Sequence, residues 1–378
     1  MAQLIAAHHS MPSTSAQILL ELDHPPLEAN LAFSLGWDHA HYGLTPPAER
    51  LFADATLRQG WLAGRASFGQ RTLKPSRHVR LWLELRSHAC LRGIAFEDVQ
   101  VTPNYLQQIS TDWCPIRRVA LDQDTAPANR RSIDRVRSDA AYAAGNLAMM
   151  SHGANTAKHH HSWQSVTELV SQLEQTRCEQ SSGLCLPEWR RVATLCSYVT
   201  DLSHEQAAVL PMLVLPPNRL RLFNPIQALQ AWVTRQLATP GWSERLGSLL
   251  ALLPNASLKR DFNAFVLAIV PRILLAGKQS QDHALRWALE DAWSTGLVQR
   301  RWAQFALGLS AAQAELLVTR AADNAPGPLR VQQHACASAT EGWALERGGL
   351  HQPDAPSRAI ERTSKPRRLP LRPSSTCH

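Results

Sequence analysis

Apolar residues recur at three- and four-residue spacing through most of the second half of the chain. Val166, Leu169, Val170 and Leu173 mark one side of a helix over 163–175. The same spacing predicts helices over 187–199, 206–214, 226–237, 242–253, 258–275, 280–309 with a break at Gly296, and 310–322. Earlier, Leu51, Ala55, Leu57 and Trp61 keep helical spacing, and 75–92 reads as a further helix that begins at Pro75 or Ser76 and stops at Gly93. Thr102-Pro103 reads as the cap and first residue of a short helix over 104–109.

Residues 113–162 follow a different pattern. A Cys114-Pro115 turn leads into an apolar, strand-like run over 116–121 and then a polar, Pro-containing loop. In Ser132-Ile133-Asp134-Arg135-Val136, two apolar residues flank an adjacent acid and base. Gly145-Asn146 turns the chain into a second apolar run over 147–150, and Ser151 is placed to cap a helix carrying Asn155 and Lys158. The expected fold class is therefore mainly α, with a small ββα unit embedded between helical regions. Five segments follow: an irregular 1–45 containing one short element over 18–22, a basic helical 46–112, the ββα unit over 113–162, a helical 163–322, and a basic, Pro-rich tail over 323–378 expected to be disordered.

The order of residues in the ββα stretch resembles the HNH (ββα-metal) endonucleases. Asp134-Arg135 stands at the family's Asp-His pair, Asn146 at its middle Asn and Asn155 at its final His or Asn, with Lys158 following. The resemblance implies phosphodiester hydrolysis of DNA assisted by Mg²⁺ or Mn²⁺, with Asp134 and Asn155 as metal ligands and Asn146 bracing the loop. Arg135 replaces the family's His. A guanidinium does not deprotonate in proteins, so it binds phosphate rather than activating water. His152, three residues before Asn155 on the same helix face, is the substitute base this implies. The family's structural zinc is not expected: Arg117, Ser151 and Ala154 stand where three of its four cysteines belong, leaving Cys114 alone. On residue chemistry alone, Asp134-Arg135 also suits a surface ion pair, Asn146 a turn residue and Asn155 a polar helix position.

Charge adds a second strand to this reading. The formal net charge is +8 and the isoelectric point near 9.4, which favours an anionic partner. Between Arg58 and Arg92 there are eight Lys or Arg residues against one acid, Glu84. Arg65, Arg71, Lys74, Arg77, Arg80 and Arg86, joined by Lys158, are expected to follow a phosphate backbone; a solvated basic face is the alternative.

Other clusters carry less. Asp38, His39 and His41 admit a metal reading, but a Trp-rich turn with polar neighbours is the simpler one. His159 to His161 point to different sides of a helix, and Cys178 with Cys185 suits two ordinary thiols. Trp232, Trp242, Trp287, Trp293 and Trp302 read as core rather than base-stacking platforms. Seven cysteines without regular spacing argue against a disulfide framework and for a reducing cytoplasm. No signal peptide is evident, and the best apolar run, over 262–276, is interrupted by Asn263, Pro271 and Arg272, so no membrane span is expected. Three functions remain open: an HNH-like nuclease, a catalytically silent nucleic-acid-binding relative, and a protein-interaction module using the helical C-terminal half.

Overall fold

The computed structural model describes residues 31–121, 126–276, 282–324 and 336–351. The first helices are α1 (Leu31–His41), α2 (Ala48–Ala53), α3 (Ala55–Phe68), α4 (Arg77–Arg92) and α5 (Pro103–Ile109). Leu31–His41 falls inside the segment expected to be irregular; Leu31, Leu35 and His39 recur every four residues and bury one face. Close approach fixes α1 on α3: a Cβ on Gly36 would lie 2.0 Å from the Leu57 carbonyl, and one on Gly60 2.0 Å from that of Phe33. The caps follow the sequence pattern. Ser76 Oγ accepts from Val79 N at 3.2 Å, Gly93 closes α4 at φ 61°, and Thr102 Oγ1 accepts from Tyr105 N at 3.2 Å with Pro103 at the first turn.

The ββα arrangement follows. Strand β1 (Arg131–Arg135) pairs antiparallel with β2 (Leu147–Ser151), Arg131 opposite Ser151 and Arg135 opposite Leu147. Ser151 ends β2 and caps α6 (His152–Lys158), its Oγ accepting from Ala154 N at 3.3 Å. Every residue of β2 is buried, which accounts for its unbroken apolar run. The run over 116–121 is a tight turn rather than a strand. Arg118 takes φ 55° and its N–H donates to Cys114 O at 2.9 Å, leaving one bridge between Trp113 and Ala120.

Helices α7 (Trp163–Thr176), α8 (Leu186–Ser197), α9 (His204–Val209), α10 (Pro225–Gln236) and α11 (Trp242–Ala251) continue the chain. Then come α12 (Ala256–Ala276), α13 (Asp282–Ala292), α14 (Gly296–Leu307) and α15 (Ala311–Asn324). The break at Gly296 falls where the sequence pattern places it. A two-residue hairpin, Gln180–Ser181 with Leu184–Cys185, was not visible in that pattern. The fold is mainly α. No helix among the described residues is long and apolar enough to cross a membrane. One hydrophobic core runs through the ββα unit and the following helices, so these segments share an interior. Buried Glu290 ties them together: it pairs with Arg118 at 3.2 Å and Arg286 at 3.0 Å, and accepts from Leu215 N at 2.9 Å.

Part of the expected disordered tail is docked. Residues 336–351 begin with α16 (Cys336–Ala339) and place fully buried Trp343 against the β1–β2 loop. Its Nε1 donates to Ala144 O at 3.0 Å, and Ala141 N donates to Trp343 O at 2.7 Å. The elements expected over 18–22 and the basic run at 365–372 lie outside the described residues. Trp343→Ala is expected to cost about 3–5 kcal/mol, as large aromatic truncations in cores do. Urea unfolding measures this; a loss under about 1 kcal/mol would mean the segment is only loosely attached.

Candidate functional site

The residues singled out in the ββα stretch lie around β1, its loop and α6, but with unequal access. Asp134, 4 % exposed, projects from β1 toward α6, where Lys158 is fully buried. The Lys158 ammonium lies 3.0 Å from Asp134 Oδ2 and 3.1 Å from Oδ1. It also donates to Arg135 O at 2.9 Å and Ser138 Oγ at 3.3 Å, which uses its donors. Cys196 of α8 is buried nearby, its Sγ donating to Val136 O at 4.0 Å, and burial pushes its thiol up to about 11. Burial also raises the Asp134 carboxyl above its ordinary range, and Lys158 holds back part of that shift.

Asn146 is fully buried and braces the loop between the strands. Its Oδ1 accepts from Arg137 N at 2.8 Å, and its Nδ2 donates to the carbonyls of Arg137 and Ala141, both at 3.1 Å. Asn155 turns its amide N–H groups toward Ser132 Oγ at 2.7 Å and the Ile133 carbonyl at 3.4 Å, tying α6 to β1. His152 is exposed at the start of α6, its backbone N–H donating to Arg130 O at 2.7 Å. Arg135 is half-buried; Nη1 donates to Ala140 O at 2.6 Å and the guanidinium lies 5.1 Å over the Tyr142 ring.

This donor set does not fit a divalent cation. Both Asp134 oxygens face an ammonium in a site closed to water, and Asn155 directs donors, not its carbonyl, toward β1. A cation beside Lys158 would meet a like charge where little solvent screens it. At the positions the resemblance gives to zinc, Cys114 Sγ donates to Ser151 Oγ and accepts from Arg117 N, each at 3.3 Å. A hydrogen-bonded thiol and hydroxyl thus join the Cys114 turn to the end of β2.

Two cationic residues expected on a phosphate-following surface are interior. Lys158 is one. Arg86 is the other, 2 % exposed, paired with Asp38 and, at 3.2 Å, with Asp98, and lying 4.4 Å over Trp82. Each is drawn inward by a carboxylate that the fold brings from elsewhere. Arg65, Arg71, Lys74, Arg77 and Arg80 are exposed, as is Glu84. The Asp38–His39–His41 group disperses: Asp38 turns to Arg86, His39 Nδ1 to Leu35 O at 2.8 Å, and His41 stacks on Phe68. The sequence pattern does not show whether the basic residues near α6 share one surface. Arg92, His159 and His160 are exposed and Arg135 is half-buried, and His160 is held below its ordinary value by burial and then by His159, Arg135, Lys158 and Arg92, which favours its neutral ring. The run of three histidines after Lys158, the basic run ending at Arg92 and the Asp134-Arg135 pair are their signals in the sequence.

Lys158→Met is expected to destabilise the fold by about 3–5 kcal/mol, because it strands the Asp134 charge in the interior. Asp134→Leu/Lys158→Met should recover most of that loss. Removing the ammonium raises the folded-state pKa of Asp134 further above its unfolded value. The folded variant then keeps a proton that the unfolded chain has lost, so its stability falls as pH rises through that window. The deficit against the unmodified chain should be larger at about pH 8 than at about pH 5. Denaturant titrations at the two pH values measure this; a pH-independent deficit would contradict it.

Compared with family models, with curated proteins and with solved structures, the chain matches none of them.

Proposed function

We propose that this chain is a nucleic-acid-binding protein whose ββα unit resembles that of the HNH nucleases without their hydrolytic chemistry. The observation that carries this reading is the Asp134–Lys158 pair, which fills the place the resemblance gives to the cation. Hydrolysis also needs a base beside the scissile phosphate. Arg135 cannot serve as one, and His152 sits exposed at the opposite end of α6 from Lys158. What the unit retains is a rigid frame, held by Asn146 and Asn155, with Arg135 on its first strand.

The binding surface in this reading combines Arg92, Arg135, His159 and His160 with the exposed arginines of α4. Exposed arginine side chains suit phosphate contacts that hold a backbone without reading its sequence, and Arg135, held by Ala140 O and the Tyr142 ring, adds a fixed guanidinium beside them. The helical half supplies the interior that buries β2, and any protein partner would dock on its outer faces.

Retention of a short DNA duplex by the full chain should fall steeply with salt. Arg92→Gln with Arg135→Gln should weaken it and reduce the log–log salt slope by about 0.9 for each phosphate that is no longer neutralised. Supercoiled plasmid should stay intact with Mg²⁺ or Mn²⁺. Metal-dependent nicking that disappears in Asp134→Ala would overturn the proposal in favour of an active nuclease. Absence of salt-sensitive retention would overturn it in favour of a protein-interaction role.

A further inference from the structure

Two clefts away from the Asp134–Lys158 pair adjoin one another at Pro217 and Asn218, which line both. The larger, about 850 Å³, lies between α5, the Gly145 turn and the loop over 216–222. Arg219, Arg221 and Arg235 line it, and among the described residues no Asp or Glu does. Arg221 is committed to the fold. Its side chain crosses Gly145, where a Cβ would lie 2.2 Å from Arg221 Cγ, and it donates to Ala339 O at 2.7 Å and Gln100 Oε1 at 3.2 Å.

Arg219 and Arg235 have donors to spare. Arg235 makes one hydrogen bond, to Pro216 O at 2.8 Å, and the charge nearest to it in effect is another cation, Arg286. Burial and that like charge bring Arg235 down to about 10. Arg219 is exposed at the rim with φ 64°, in a turn closed by Leu220 N donating to Pro217 O at 3.2 Å. Glycine or asparagine ordinarily fills such a position, so this turn holds an arginine at the cleft against its backbone preference. Two guanidinium groups in a cleft with no carboxylate among its described lining residues are a ready partner for a phosphate, which each can grip with paired N–H groups.

The neighbouring cleft, about 420 Å³, carries three aromatic rings on its wall, and the one acid among its described lining residues, Asp112, is paired with Arg131 at 2.9 Å. Trp113 stacks on His283 with centroids 4.3 Å apart, and Trp287 meets Trp113 edge-on at 5.3 Å. All three rings are half-buried, whereas Trp232, Trp293 and Trp302 are buried in the core. An accessible aromatic wall beside an anion cleft offers a base and its phosphate separate partners at once.

The geometry points to a single-strand nucleic-acid site, in which Arg219 and Arg235 hold a phosphate while Trp113 and Trp287 take the adjacent base. A base stacked inside a duplex has no free face to offer these rings. The same chemistry is available in an oligonucleotide and in a free nucleoside monophosphate. The site uses residues other than those of the α4–α6 surface, so it stands or falls independently of the reading of that surface.

The test is fluorescence anisotropy of a labelled oligothymidine, roughly twelve nucleotides long so that it spans a typical single-strand site, with the full chain. Arg219→Gln, an exposed position that leaves folding intact, should weaken binding and reduce the salt slope by about 0.7. Trp287→Leu, checked for folding by its thermal melt, should weaken binding about tenfold or more. Thymidine monophosphate as competitor separates the sources. Competition that Arg219→Gln also weakens identifies a nucleotide site; binding of the oligonucleotide without competition identifies a strand site, and either supports the inference. Unchanged binding in both variants, with loss in Arg92→Gln, would overturn it and leave the proposed function standing. Failure of the unmodified chain to bind either probe would also overturn it, while salt-sensitive duplex retention in the same preparation would preserve the proposed function.

Discussion

A buried ammonium meeting a buried carboxylate is the constraint around which the ββα unit is built. Taking Asp134 and Lys158 out of water costs several kcal/mol for each ion, and only close pairing with further hydrogen bonds offsets it. The fold supplies those bonds to the ammonium from the Arg135 carbonyl and Ser138, on the strand and the loop after it, whereas Asp134 Oδ2 is held by the ion pair without a hydrogen bond of its own among the described residues. The pair therefore fixes the end of α6 against β1, while Asn155 fixes its middle and Ser151 its beginning. Asn146 then closes the intervening loop with its own amide.

The surrounding helices make such a pair possible by excluding water. Strand β2 has no exposed side, α8 sets buried Cys196 against the Val136 carbonyl just past β1, and Trp343 comes from far along the chain to cover the loop. The Cys114 turn is secured by its thiol's hydrogen bond to Ser151 and by Arg118 bonded to Glu290 of α13. The arrangement assembles one interior from segments that the sequence presents as separate.

Most helices were legible because their apolar periodicity and caps are local: Ser76, Gly93, Thr102 and Ser151 sit where they cap. The fate of charged residues was not, because it depends on partners distant in sequence. Arg86 reads as one more base in a basic helix until the fold brings Asp38 and Asp98 to it. Lys158 reads as a phosphate contact until β1 places Asp134 beside it. The run over 116–121 has a strand's composition, yet Arg118 in the left-handed region folds it into a turn. Trp343 carried no periodicity to distinguish it from its polar surroundings, and Trp287 looks like its buried neighbours in sequence although it lines a cleft.

In the proposed reading, Lys158 fills the position that the sequence resemblance to HNH nucleases gives to a metal ion. Mn²⁺ titration of the full chain, followed by electron paramagnetic resonance beside Asp134→Asn, tests it most directly. Both proteins should show the same weak, unsaturated uptake. A single saturable Mn²⁺ site in the unmodified chain that Asp134→Asn abolishes would contradict it.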